Sequence, residues 1–263
     1  MCKKRLIIGF ILFFLPVFVF ASNDGSEKGE PSFTAEAIIE RVSEIMSLED
    51  IRSEQVMTVC REDGSIRQYR LRIMTSGSDR VFAEIIEPKK FKGRQLLRLG
   101  DTVWAYFPDT VSQVKSRSER RSKSAFRISG RETFMGGDFT NNDVLRLNLI
   151  GDYTSELIED LPDQYVLKLT GKDLNLAYAA LRLWVRKIDF QPIRMECYTI
   201  GDDLIKSIFY QDYRVFEGGL TRPGMLEVKS AIMPKSKTFL EIIFLNRGVE
   251  NPSHRFSRSN LGK

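Results

Sequence analysis

Between residues 55 and 245 the chain falls into about eleven short runs in which apolar side chains recur at every second position. Among them are 80–87, 95–99, 102–107, 180–187, 204–210, 225–231 and 238–245. Turn signals separate the runs: Glu62-Asp63-Gly64-Ser65, Pro88, Gly100-Asp101 and Pro108. A two-residue period is the repeat of a β-strand. Strands in such number, with few helical stretches and no βαβ alternation, predict a mainly β sheet or barrel of α+β class.

One helix is expected before the strands. Thr34 is placed to cap it, and Ile38, Val42, Ile45 and Met46 recur at three- and four-residue spacing. Glu40, Arg41 and Glu44 take the other side. The mixed charge of that polar side favours docking on the chain's own sheet over a membrane surface.

Several runs are apolar on both faces, which a sheet with one wet face does not need. Leu240, Ile242 and Phe244 face one way, while Phe239, Ile243 and Leu245 face the other. Val103, Ala105 and Phe107 likewise oppose Trp104 and Tyr106. Either the second face is covered by other elements, or one face lines an apolar cavity. Periodicity alone leaves the two readings open.

The first 21 residues read as a signal peptide. Lys3, Lys4 and Arg5 precede an apolar run through Phe20, and Val19-Phe20-Ala21 is a small-x-small cleavage site. Residues 22–31 are a polar linker, which leaves 32–263 as the folded domain. Loss of those three cations lowers the formal charge from +5 to +2. That removes the compositional case for nucleic-acid binding. The expected product is an exported, periplasmic monomer. Cys60 and Cys197 remain in an oxidising compartment, where two buried thiols are favoured over a disulfide.

Catalytic and metal-binding constellations are missing. The chain has one histidine, His254, in a polar tail. It has no Gly-x-Ser-x-Gly elbow, P-loop, Gly-x-Gly-x-x-Gly or Cys-x-x-Cys. The expectation is no catalytic residue, no metal and no cofactor. A secreted hydrolase with carboxylates assembled from distant positions is the competing enzyme reading. One segment, 115–131, is strongly basic, with Lys115, Arg117, Arg120, Arg121, Lys123 and Arg127 against Glu119. It is either a solvated strand and loop or a docking surface for anionic headgroups or an acidic partner.

The middle of the chain resembles the LolA-like family of exported lipoprotein-sorting proteins. The resemblance rests on Gly93-Arg94-Gln95-Leu96-Leu97, on the hairpin Trp104-Ala105-Tyr106-Phe107-Pro108, and on Phe134-Met135-Gly136-Gly137-Asp138-Phe139. Arg222-Pro223 and Phe256-Ser257 with Leu261 fit the family ending. Gly137 stands where the family pattern has serine.

The resemblance implies an incomplete antiparallel β-barrel with a helical lid and a hollow for acyl chains. Its cargo would be a lipid or lipoprotein acyl group crossing the periplasm. Its partners would be an inner-membrane export complex and an outer-membrane acceptor. An envelope-stress or lipid-sensing module, or an accessory of a lipid exporter, is the alternative on the same fold. The candidate lining residues are Val103, Trp104, Tyr106, Leu181, Leu183, Trp184, Leu240, Ile242 and Phe244. The candidate lid residues are Ile38, Val42, Ile45, Phe134, Met135 and Phe139.

Overall fold

The computed structural model describes residues 33–47, 49–108, 125–145 and 148–263. The expected signal peptide and linker lie outside them, as do Lys115, Arg117, Arg120, Arg121 and Lys123.

Helix α1 (Ala35–Met46) starts where Thr34 Oγ1 accepts from Ala37 N at 3.2 Å. It buries Ile38, Ile39 and Val42 against the sheet. Strands β1 (Ile51–Cys60), β2 (Ile66–Ser76), β3 (Arg80–Glu87), β4 (Gln95–Leu99), β5 (Thr102–Tyr106) and β6 (Phe126–Ile128) follow. Two short helices, α2 (Asn141–Leu145) and α3 (Leu149–Asp152), lead into the second half. That half comprises β7 (Tyr153–Asp160), β8 (Gln164–Gly171), β9 (Ala180–Arg186), β10 (Pro192–Tyr198), β11 (Leu204–Val215), β12 (Thr221–Ser230) and β13 (Lys237–Arg247).

All thirteen strands form one antiparallel sheet in the order β6-β5-β4-β3-β2-β1-β13-β12-β11-β10-β9-β8-β7. Strands β6 and β7 are its edges, so the sheet curls into an incomplete barrel without closing. The count exceeds the expected eleven partly because β6 has three residues in a charge-rich stretch, too few to show a period.

The inner face carries the main core. Along β2, Tyr69, Leu71 and Ile73 point inward, while Arg70 and Arg72 on the other face bind Glu54 at 2.9 and 3.1 Å. The doubly apolar runs have two separate explanations. On β5, Val103 and Ala105 are inside, whereas Trp104 and Tyr106 lie on the outer face. There they pack with Met74, Phe82 and Leu97 beneath Phe256 and Leu261 of the C-terminal segment. The covering element is that segment, which the alternation could not name.

On β13 the cause is a β-bulge. Gln55 pairs with Ile242 but Glu54 pairs with Phe244, so Ile243 is the extra residue. One extra residue reverses the side-chain parity beyond it. Phe244 is therefore 40 % exposed, while Leu245 turns inward at 2 %. This corrects the expected grouping of Phe244 with Leu240 and Ile242.

Asn251 ties the C-terminal segment to the sheet. Its buried Nδ2 donates to Ile51 O at 3.0 Å and Thr75 O at 2.8 Å, and its Oδ1 accepts from Arg52 Nε at 3.2 Å. Asn251→Ala is expected to cost about 1–3 kcal/mol, because buried polar groups lose their partners. A urea titration measures this. A loss under about 0.5 kcal/mol, the usual scale for surface changes, would show that the tie contributes little.

Candidate functional site

Among the described residues, two hollows open on the inner face. The larger has a volume of 520 Å³, within the roughly 300–1,000 Å³ of small-molecule sites. Its walls include Val81, Leu183, Met195, Ile208, Leu226 and Leu240, with Val42 and Met46 from α1. The smaller, of 410 Å³, lies against Tyr69, Leu71, Ala83, Ile85 and Leu96.

Strand direction shows that they open at opposite ends. The larger chamber reaches the β2–β3 turn at Gly77 and Asp79 and the β4–β5 turn at Gly100 and Asp101. The smaller reaches Arg61 and Arg67, which flank the β1–β2 turn at the other end of the same strands.

Residues 134–145 cross between them. Phe134 and Met135 border the smaller chamber, while Phe139, Val144 and Leu145 border the larger. This crossing segment is firmly anchored. Asp138 accepts from Ser236 Oγ at 3.0 Å and Thr238 Oγ1 at 2.7 Å, and its own N–H donates to Thr238 Oγ1 at 2.9 Å. Thr140 and Asp143 cap α2 reciprocally: Thr140 N donates to Asp143 Oδ2 at 2.6 Å, and Asp143 N donates to Thr140 Oγ1 at 3.2 Å.

Met135 and Gly136 have φ of 52° and 70°, which turns the backbone sharply. A Cβ on Gly137 would stand 3.1 Å from Val59 Cγ2 and Thr238 Oγ1. Glycine at that position lets the segment lie directly on β1 and β13.

Asp143 also holds the most buried ion pair among the described residues. Lys206 Nζ donates to Asp143 Oδ2 and, at 2.9 Å, to Asp138 O. Both side chains are 4 % exposed. Tyr178 Oη donates to Asp143 Oδ1 at 2.9 Å. Burial, reinforced by the Asp143 carboxylate, pushes the Tyr178 hydroxyl pKa up, so it remains a donor. Neighbouring Cys197 is a free, fully buried thiol, and burial pushes its pKa up as well; Cys60 is also free.

Helix α1 is held by a charge at its C-terminal end. Buried Arg222 donates to Ile45 O through Nε at 2.9 Å and Nη2 at 2.7 Å, and also to Ser47 O. These carbonyls are the groups a helix end leaves without internal partners. Burial, with a smaller contribution from Arg247, lowers the Arg222 pKa to about 10.

The candidate lining residues divide. Leu183, Leu240 and Ile242 border the larger chamber. Val103 and Leu181 are buried in the inner core but border neither chamber. Trp104 and Tyr106 belong to the outer cluster. Trp184 is cross-strand from Arg194, whose guanidinium carbon stands 4.3 Å from the indole centroid. Of the three candidate lid residues on α1, Val42 borders the larger chamber, whereas Ile38 is fully buried and Ile45 half-buried away from it. Arg127 is exposed on edge strand β6.

Sequence reasoning missed Met195, Ile208, Tyr210 and Leu226, although each lies in a run of correct period. It also missed Lys206, whose parity with Ile208 and Tyr210 was a readable signal of an inward cation.

A protein-family model described as "Uncharacterized protein" matches residues 77–263, and the chain is a member of that family. No curated protein matches the sequence. A LolA superfamily protein from Nitrosomonas europaea has a solved structure similar to this one at 25 % identity. The match covers 88 % of this chain and 100 % of that one, with a TM-score of 0.73. The chain has the LolA-like fold.

Two further structures share the LolA-like fold. A DUF1329 family protein from Desulfovibrio piger matches at 22 % identity and TM-score 0.72, covering 86 % of this chain and 97 % of its own. A domain from Vibrio parahaemolyticus, named for outer-membrane lipoprotein sorting, matches at 19 % identity and TM-score 0.72. It covers 87 % of this chain and 98 % of its own. Among the described residues, no helix is long and apolar enough to cross a membrane.

Proposed function

We propose that this LolA-like protein is an exported, periplasmic carrier. It holds an acyl chain of a lipid or lipoprotein in the larger chamber and delivers it toward the outer membrane. An inner-membrane export complex would be the donor and an outer-membrane component the acceptor. The observation that carries this reading is the 520 Å³ hollow walled by Leu183, Met195, Ile208, Leu226 and Leu240.

The energetics explain why such a hollow is needed. An acyl chain of about fifteen methylenes costs about 12 kcal/mol to expose to water, at about 0.8 kcal/mol per methylene. Free transfer across an aqueous gap is suppressed by nearly nine orders of magnitude. Reversible burial removes most of that cost without any bond being made or broken. The names of the Nitrosomonas europaea and Vibrio parahaemolyticus proteins point in the same direction. Release requires α1 or the crossing segment to move, and Arg222 and Asp138 are the contacts that would yield.

Mass spectrometry of gently purified protein tests the reading. The expected result is one acyl-bearing molecule per chain, retained under native conditions and released by organic solvent. Empty protein that also takes up no long-chain fluorescent fatty acid would end it.

A further inference from the structure

We propose that the smaller chamber is a second, charge-selective site that takes a single-chain amphiphile by its anionic end, a carboxylate or phosphate monoester. This goes beyond the carrier reading. Neutral acyl chains require no cation, and the larger chamber could operate with the smaller one closed.

The observation is a mismatch between wall and mouth. Inside, Tyr69 and Phe91 meet at a centroid distance of 5.4 Å, with Leu71 and Leu96 completing an apolar surface. At the border stand three guanidiniums, those of Arg61, Arg67 and Arg94, against the carboxylates of Glu84 and Glu132. The Arg94 guanidinium is stacked between Phe91 and Phe107, at 4.6 and 5.0 Å from their centroids. Arg67, Phe126 and Glu132 are exposed, so this end is open to solvent.

Arg61 is the decisive residue. Its Nη2 reaches Gly136 O only at 3.5 Å, and its buried Nε has no hydrogen-bond partner. Neither Arg61 nor Arg67 forms an ion pair within 4 Å among the described residues. Asp63, in the adjacent turn, accepts from Ser65 N at 2.8 Å. A buried donor without a partner is costly, and native structures leave few of them. Guanidinium donors beside an apolar chamber match an anion carried on a hydrocarbon chain. Placed this way, the chain runs along Tyr69 and Leu71 toward Phe134, and the anion stays at the mouth with Arg61 and Arg67.

Calorimetric titration of the full domain with dodecyl phosphate, dodecanoate, dodecanol and inorganic phosphate tests this. Both dodecyl anions are expected to bind at least tenfold more tightly than dodecanol. The double variant Arg61→Gln/Arg67→Gln should lose that preference with an unchanged circular dichroism spectrum. If the double variant does not fold, exposed Arg67→Glu alone should weaken both anions several-fold. Met46→Asp, which alters only the larger chamber, should leave dodecyl phosphate binding intact. Equal affinity for dodecanol, or anion preference undiminished by the arginine variants, would overturn the assignment. Inorganic phosphate competing as strongly as dodecyl phosphate would reduce it to a free-anion site and overturn the amphiphile claim. Anion-selective binding in protein that carries no acyl cargo would leave this site standing while the carrier reading fell.

Discussion

Lys206→Met should destabilise the fold by about 3–5 kcal/mol, the scale for breaking a buried ion pair by removing one partner. The reason is what remains. Asp143 would keep its carboxylate in a site where both partners are 4 % exposed, with only Tyr178 Oη and Thr140 N donating to it. The Asp138 carbonyl would also lose the Lys206 donor. For a domain of this size about 1 kcal/mol corresponds to about 2–4 °C, so the melting midpoint should fall by roughly 10 °C.

The sharper check is the double variant Lys206→Met/Asp143→Asn. Its amide can still accept from Tyr178, and no charge is left buried, so at least half the loss should return. Equilibrium urea denaturation measures both variants. Additive losses would mean that the charges act independently and that the crossing segment is held by Asp138 and packing alone.

Leu240→Asp should abolish retention of an acyl cargo. Leu240 is 6 % exposed and borders the larger chamber between Met57 of β1 and Leu226 of β12. A carboxylate there draws water into the space the chain must occupy, or protonates and still presents a polar surface. Loss of contact with even four methylenes amounts to about 3 kcal/mol, a fall in affinity of more than 100-fold. Because this substitution also burdens the fold, Met46→Asp is the companion. Met46 is half-buried on α1 and borders the same chamber, so the variant tests the site at lower folding cost. Cargo content is read by mass spectrometry after native purification, with circular dichroism confirming the fold. Normal cargo in folded Met46→Asp and Leu240→Asp protein would place the chain elsewhere.

Much of this protein was legible in its sequence because strand period, turn residues and capping are local properties. Alternation marked the runs that became β3, β4, β5 and β9 without telling which face of each looks inward, and Thr34 marked the start of α1. The Phe134–Phe139 motif carried the family resemblance and supplied the candidate lid residues Phe134, Met135 and Phe139. Leu183, Leu240 and Ile242 were among the candidates that the resemblance implied, and they do border the larger chamber.

Tertiary structure alone decided what lay opposite those faces. Nothing local tells Trp104 that Phe256 and Leu261 will cover it, because that contact joins segments about 150 residues apart. The bulge at Ile243 depends on how β13 registers with β1, and it sends Phe244 outward though its own alternation is intact. The separation of the hollow into two chambers likewise depends on where residues 134–145 cross the sheet. That position is held by Asp138 with Thr238 and by Asp143 with Lys206, contacts spanning 100 and 63 residues. Periodicity reports which side of a strand is apolar. Whether that side meets packed atoms, a covering tail or empty space is settled by distant partners, and only the folded chain brings them together.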